Sequence, residues 1–313
     1  MAGDLKSIFT VVLTVESITG IVGNGFIVLL NFTDWVKRRK ISPVDQILTT
    51  LAISRIVLLC SVQTYIWLYA AYPDFLKTAR VFTAIIFITW VVTNHFSVWL
   101  STCLSIFYFL KIANFSNSIF LYLKWKVKKV VLVTLQMSLV PLFFSIIIIN
   151  IKINAWIDGS RRNVSYNSSL KNSVQVSRLL LFTNSMFMLL PYIVSLIVCL
   201  LLVFSLGKHL KRMQHDAKGS RDTRTMAHTK AMQTVVIFIL LYTTYLFCFI
   251  MQISSFEFLE KAHIMFFEHA IGITFLLGHS LFLILGNSKL RKASLSALWW
   301  LRCRAKGAES SGP

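Results

Sequence analysis

The stretch VVLVTLQMSLVPLFFSIIIINI, Val130 to Ile151, carries no charge over 22 residues and is bounded by Lys129 and Lys152. Wound as a helix it is about 33 Å long, enough to cross the roughly 30 Å hydrocarbon core of a bilayer. It is the fourth of seven comparable runs, at residues 8–31, 43–68, 81–110, 129–151, 181–206, 233–256 and 264–286. The pattern predicts an all-α bundle of seven transmembrane helices, residues 1–286, followed by a tail of residues 287–313.

Composition agrees. Of 313 residues, 56% are apolar and only 14% charged, where a soluble domain carries roughly 25% charge. The net charge of +20 would suggest nucleic acid on a soluble protein, but these charges lie between the apolar runs and read as topology and headgroup contacts. Nucleic-acid binding is therefore excluded as the reading. The segments after runs 1, 3, 5 and 7 hold 22 of the 32 Lys and Arg, and the N-terminal stretch and the other loops hold nine. Arg55 is the remaining one. The richer side is expected to be cytoplasmic, which puts the N-terminus outside and the C-terminus inside. The first run is too long for a cleavable signal peptide and is followed by the stop-transfer cluster Lys37 to Lys40.

The tail alternates Leu290, Ala297, Leu298 and Leu301 with basic residues, which predicts a short amphipathic helix on the inner leaflet and a disordered end. Cys303, beside Arg302 and Arg304, is a candidate for palmitoylation. Asn163-Val-Ser and Asn167-Ser-Ser are glycosylation sequons in a loop expected outside, whereas Asn31-Phe-Thr and Asn114-Phe-Ser fall at expected cytoplasmic ends. No Cys-x-x-Cys pair, His-Glu-x-x-His, Walker loop or Gly-x-Ser-x-Gly occurs, so neither a metal site, a cofactor nor an enzyme is expected.

Ionisable groups at membrane depth are costly and mark function. Arg55 lies midway along the second run, and Asn24 and Ser280 fall at similar depth in the first and seventh. Together they predict an interhelical polar network. Trp90 and Asn94, four apart on one helix face, lie with His95, Tyr245, Glu16, Glu268 and His269 toward the expected outer half. They could line an aromatic pocket with polar anchors, in which Glu268 pairs with a ligand amine and Trp90 adds cation–π attraction. Plain helix packing accounts equally well for Trp90 and Tyr245, and better for His95 and His269.

The marks of rhodopsin-like receptors are absent: runs 6 and 7 contain no proline and run 3 no Asp-Arg-Tyr. Other motifs recur in order along nearly the whole chain: Gly23-Asn24-Gly25, Leu51-Ala52-Ile53-Ser54-Arg55, Tyr108-Phe109-Leu110-Lys111, Leu123-Lys124-Trp125, Leu202 to Leu206 with His209, and His279-Ser280-Leu281-Phe282. Taken together the chain resembles the type 2 (bitter) taste receptors. That resemblance implies a plasma-membrane receptor for bitter small molecules, coupled to a gustducin-type heterotrimeric G protein. It assigns Trp90, Asn94, Tyr245 and Glu268 to the ligand pocket, and Asn24, Arg55 and Ser280 to the network. The inner-face switch takes Tyr108, Leu202, Ser205, Leu206 and His209. Phe238, Tyr242 and His279 fall beside it, with repacking around Phe238 and Tyr242 standing in for a proline hinge. A chemoreceptor of another family, such as a pheromone receptor, is the alternative within the same class. A small-molecule transporter or channel is the alternative outside it, disfavoured because the two halves show no repeat.

Overall fold

In the computed structural model the described residues are 2–72, 75, 79–113, 115–161, 187–205, 207–208, 223–254 and 262–309. Within the helices, side chains 2–6, 38, 80, 152–161, 223–231, 234, 248, 249, 251–254, 262–268, 301 and 305–309 lie outside that description. The helices are α1 Ala2–Arg38, α2 Pro43–Ala71, α3 Arg80–Ile112, α4 Ser118–Trp125, α5 Val127–Arg161, α6 Phe187–Ser205, α7 Thr223–Ser254, α8 Ala262–Gly286 and α9 Ser288–Glu309. Six of them are long and apolar enough to cross a bilayer, and α7 carries a shorter apolar stretch, Val235–Phe247. The architecture is an all-α, seven-helix bundle.

Local chemistry sets the helix ends. Ser42 caps α2 by accepting a hydrogen bond from the Asp45 N–H, and Pro43 occupies the first turn, where no N–H is needed. Asn117 caps α4 in the same way, and Asn287 Oδ1 accepts from the N–H groups of Lys289 and Leu290 at the start of α9. Within the spans, hydroxyls fold back onto the preceding turn: Thr14, Thr19, Thr33 and Thr64 each donate to the carbonyl four residues earlier. These polar side chains are thereby satisfied inside apolar helices.

Several helices run beyond the apolar runs. α1 extends from Ala2 to Arg38 rather than 8–31, α5 continues to Arg161, and α7 begins at Thr223. Hydropathy marks the hydrocarbon slab, whereas a helix keeps its own hydrogen bonds after it leaves that slab. Helix α4, between the third and fourth spans, is not marked by any apolar run because it is only eight residues long.

Large apolar side chains cover the outside, among them Val11, Val22, Leu29, Phe143 and Leu200. The inside holds two apolar clusters. One gathers Leu13, Leu59, Val98, Phe238, Tyr242 and Phe275; the other gathers Ile27, Leu51, Leu104, Leu110, Leu283 and Leu290. Between them, in register along α1, α2 and α8, lies a layer of polar residues. Helices α1 and α2 approach closely above it: a Cβ on Gly20 would stand 2.8 Å from Leu59 Cδ1, so only glycine fits there without moving Leu59.

Candidate functional site

Arg55 occupies the centre of the polar layer and is fully buried. Its guanidinium makes four hydrogen bonds. Nε donates to Ser97 Oγ at 3.3 Å, Nη1 to Ser280 Oγ at 2.8 Å, and Nη2 to Ser101 Oγ at 3.1 Å and to His279 Nδ1. Arginine has donors only, so His279 must accept at Nδ1 and carry its own proton on Nε2. Ser280 lies 3.0 Å from Asn24 Oδ1 and 2.9 Å from the Leu276 carbonyl, between which its single hydroxyl proton is divided. Asn24 donates in turn to the Gly20 carbonyl at 2.7 Å. The layer therefore joins α1, α2, α3 and α8. Sequence reasoning placed Asn24, Arg55 and Ser280 together but missed Ser97 and Ser101. Their i, i+4 spacing on the third span, at the same depth as Arg55, was the available signal.

From His279 a line of aromatic rings leads away from the layer. Phe238 sits 4.7 Å from the His279 ring, Tyr242 5.5 Å from Phe238, and Phe275 5.8 Å from Tyr242. Tyr245 stacks on Phe275 at 5.1 Å with an interplanar angle of 9°. The Asn94 side chain on α3 lies within hydrogen-bonding reach of Tyr245. Tyr242 is buried, and its hydroxyl donates to the Met188 carbonyl on α6 at 2.7 Å. Asn94, Tyr245, Tyr242, Phe238 and His279 thus form a connected path through the bundle.

The remaining residues of the expected pocket divide. Trp90 packs against the same apolar cluster and stacks on Phe87 at 5.7 Å. His269 lies parallel to Tyr65 of α2, 6.4 Å away. Glu16 of α1 accepts from Thr274 of α8 at 3.3 Å. His95 does not join Trp90 and Asn94. One residue further round α3 turns a side chain by about 100°, and His95 points at α5, with Nε2 3.4 Å from Ser138 Oγ. The Glu268 side chain lies outside the described residues, as do Leu206, His209, Asn163 and Asn167. Of the other expected switch residues, Leu202 is fully buried in the cluster with Phe238, Tyr108 touches both clusters, and Ser205 ends α6.

A second polar cluster, not foreseen from sequence, sits where α1, α2 and α9 meet. Lys289 Nζ lies 2.8 Å from Asp34, 3.4 Å from Asp45 and 2.9 Å from Asn31 Oδ1. Asn31 Nδ2 completes the cluster by donating to Thr49 at 3.0 Å. These residues are far apart in sequence and individually ordinary, and only the fold of the tail back onto α1 unites them.

Seven apolar helices around a buried polar layer make this a multi-pass membrane protein. The profile of the family described as Taste receptor protein (TAS2R) matches residues 1–302. Taste receptor type 2 member 14 of Macaca mulatta is 53% identical over 312 residues, covering 100% of this chain and 98% of the relative. Taste receptor type 2 member 140 of Rattus norvegicus is 51% identical over 303 residues, 97% of each. The human member 14 is 49% identical, again over 100% of this chain and 98% of its own. The chain belongs to the taste receptor type 2 family: it is a G-protein-coupled bitter taste receptor and not an enzyme.

Proposed function

We propose that this receptor sits in the plasma membrane with its N-terminus outside, binds bitter small molecules from that side and activates a gustducin-type G protein. Residues 1–286 are the signalling bundle, and residues 287–313 are a cytoplasmic tail whose helix lies on the membrane surface. Exposed Leu295, Leu298, Trp299 and Trp300 among basic residues support that placement of the tail. Asn163 and Asn167 are its candidate glycosylation sites.

The observation that carries the reading is the connected path from Asn94 and Tyr245 through Phe275, Tyr242 and Phe238 to His279 and Arg55. An agonist among Trp90, Asn94, Tyr245, Glu268 and His269 acts only by favouring one arrangement of this path over another. Packed rings exchange between discrete arrangements, so a small displacement at Tyr245 is passed to Phe238 as repacking. The output is a change at the inner ends of α6 and α7, beside Leu202, Ser205, Leu206 and His209, where the G protein docks with Tyr108 close by. His95 faces α5 and contributes to this pocket only indirectly.

The test is calcium release in cells co-expressing the chain and a gustducin-chimera G protein, across a panel of bitter compounds. A dose-dependent response that disappears without the G protein is expected. Trp90→Ala and Glu268→Gln should then shift the dose–response curve of the same agonist to the right, with surface expression unchanged. A chain that reaches the surface and passes solutes with no G protein present would instead be a transporter.

A further inference from the structure

Two basic residues, a spacer and a serine occur twice in the chain, as Arg39-Lys40-Ile41-Ser42 and Arg291-Lys292-Ala293-Ser294. Cations two and three residues before a hydroxyl suit a serine kinase with an acidic substrate groove, whose carboxylates pair with them. The fold separates the two serines. Ser42 lies in the link 39–42, pinned between α1 and α2. Its oxygen accepts from the Asp45 N–H, Pro43 follows it, and Arg39 takes a φ of 48°. Drawing Ser42 out into a groove would undo the cap of a membrane-spanning helix.

Ser294 is placed differently. The bundle grips α9 by its first turn, through Lys289 on Asp34 and Asp45 and through the fully buried Leu290. Ser294 follows in the second turn, half-buried, and its Oγ donates to the Arg291 carbonyl of the same helix at 2.9 Å. From Leu295 to Trp300 every side chain is exposed. Opening α9 past Ala293 therefore leaves the Lys289 cluster and Leu290 in place, and it costs far less than opening a span. Ser294 also stands four residues after Leu290 and four before Leu298, so the three share one face of the helix.

We propose that Ser294 is a phosphorylation site for a base-directed serine kinase using ATP, and that its phosphate lifts α9 beyond the first turn off the bilayer. The Ser294 oxygen attacks the γ-phosphorus of ATP. An ester bond forms there as the bond from that phosphorus to the β-phosphate oxygen breaks. ADP leaves, and the hydroxyl proton passes to a carboxylate of the kinase. Residues 288–306 hold six Lys and Arg and no Asp or Glu. A phosphoserine brings a charge of about −1.5 to −2, which offsets up to about a third of that sum. It also sets a strongly hydrated group on the face that carries Leu298, where contact with lipid would strip its water. Anionic headgroups that attract the basic helix repel the phosphate. The lifting rests on the placement of the tail proposed above; the site rests on the motif and its exposure.

The test uses the purified full chain in nanodiscs containing phosphatidylserine, with ATP and the catalytic subunit of the cyclic-AMP-dependent kinase. Phosphate is mapped by peptide mass spectrometry, and a soluble substrate peptide in the same tube reports that the kinase is active. Phosphate on Ser294 is expected. It should vanish in Ser294→Ala and fall by about tenfold or more when Arg291 and Lys292 are both replaced by Gln. Ser296 has no basic residue two or three positions before it and should stay unmodified. No phosphate on Ser294, phosphate on Ser42 or Ser296 instead, or indifference to the Gln pair would overturn the site. Hydrogen exchange then tests the lifting. Past Ala293 it should be slow before phosphorylation and at least about tenfold faster after it, with Lys289 and Leu290 unchanged. A modified tail that stays protected would overturn the lifting. A tail that is unprotected from the outset would overturn the surface placement and the lifting together, and leave the site standing.

Discussion

Arg55 and Lys289 are both cations held by side chains from several helices, yet their partners differ in kind. Arg55 is fully buried and bonds to three serine hydroxyls and a neutral imidazole. Lys289 is 31% exposed and bonds to two carboxylates and an amide. Burying a carboxylate beside Arg55 would strip a second ion of its water, and that penalty often exceeds the attraction gained. Neutral oxygens and nitrogens satisfy the fork at lower cost, and the delocalised guanidinium gives up its hydration more readily than an ammonium would. Where water reaches the bundle's end, the carboxylates around Lys289 keep part of their hydration, and direct ion pairing becomes affordable. The depth of a cation thus decides the chemistry of its partners.

The comparison can be broken most severely at Arg55. Arg55→Ala would leave Ser97, Ser101, His279 and Ser280 without their common donor, and a loss of about 2–5 kcal/mol is expected from the cavity left behind and the buried acceptors unpaired. Surface expression and the melting temperature of the detergent-solubilised protein would both fall. Tyr242→Phe is a smaller cut at the other end of the aromatic path. It removes one buried hydrogen bond, worth about 1 kcal/mol, and should reduce maximal calcium response more than it lowers the melting temperature. Lys289→Ala should cost least, about 0.5–1 kcal/mol, the range for partly exposed ion pairs. Hydrogen exchange should speed up in α9. The Lys289→Ala shift should shrink when salt is raised to about 1 M, where the Debye length is about 3 Å. The Arg55→Ala shift should not. Equal salt sensitivity at both positions would remove the distinction.

Much of this was legible in the sequence. Seven apolar runs gave seven helices, and the depths of Asn24, Arg55 and Ser280 along them anticipated one layer, because depth in a span is a linear property of the chain. Direction around a helix was less legible. Trp90 and Asn94 share a face by spacing, but whether His95 follows them depends on where α5 packs, and it faces α5. The Lys289 cluster was illegible for a related reason. Asp34, Asp45 and Lys289 are ordinary flanking charges until the fold of α9 against α1 and α2 brings them within 4 Å.

The Arg55 layer also has an electrical consequence. Among the described residues no carboxylate partners it, so its charge is met there by neutral groups alone, near the middle of the second span. Carried across the entire bilayer, that charge would couple to the transmembrane potential by about 2.3 kcal/mol per 100 mV. Its hydrogen bonds to α3 and α8 hold it in place. A slip of one helical residue is about 1.5 Å in a core of about 30 Å, roughly a twentieth of the field, or about 0.1 kcal/mol per 100 mV. The same bonds that solvate the arginine therefore keep its coupling to any transmembrane potential small.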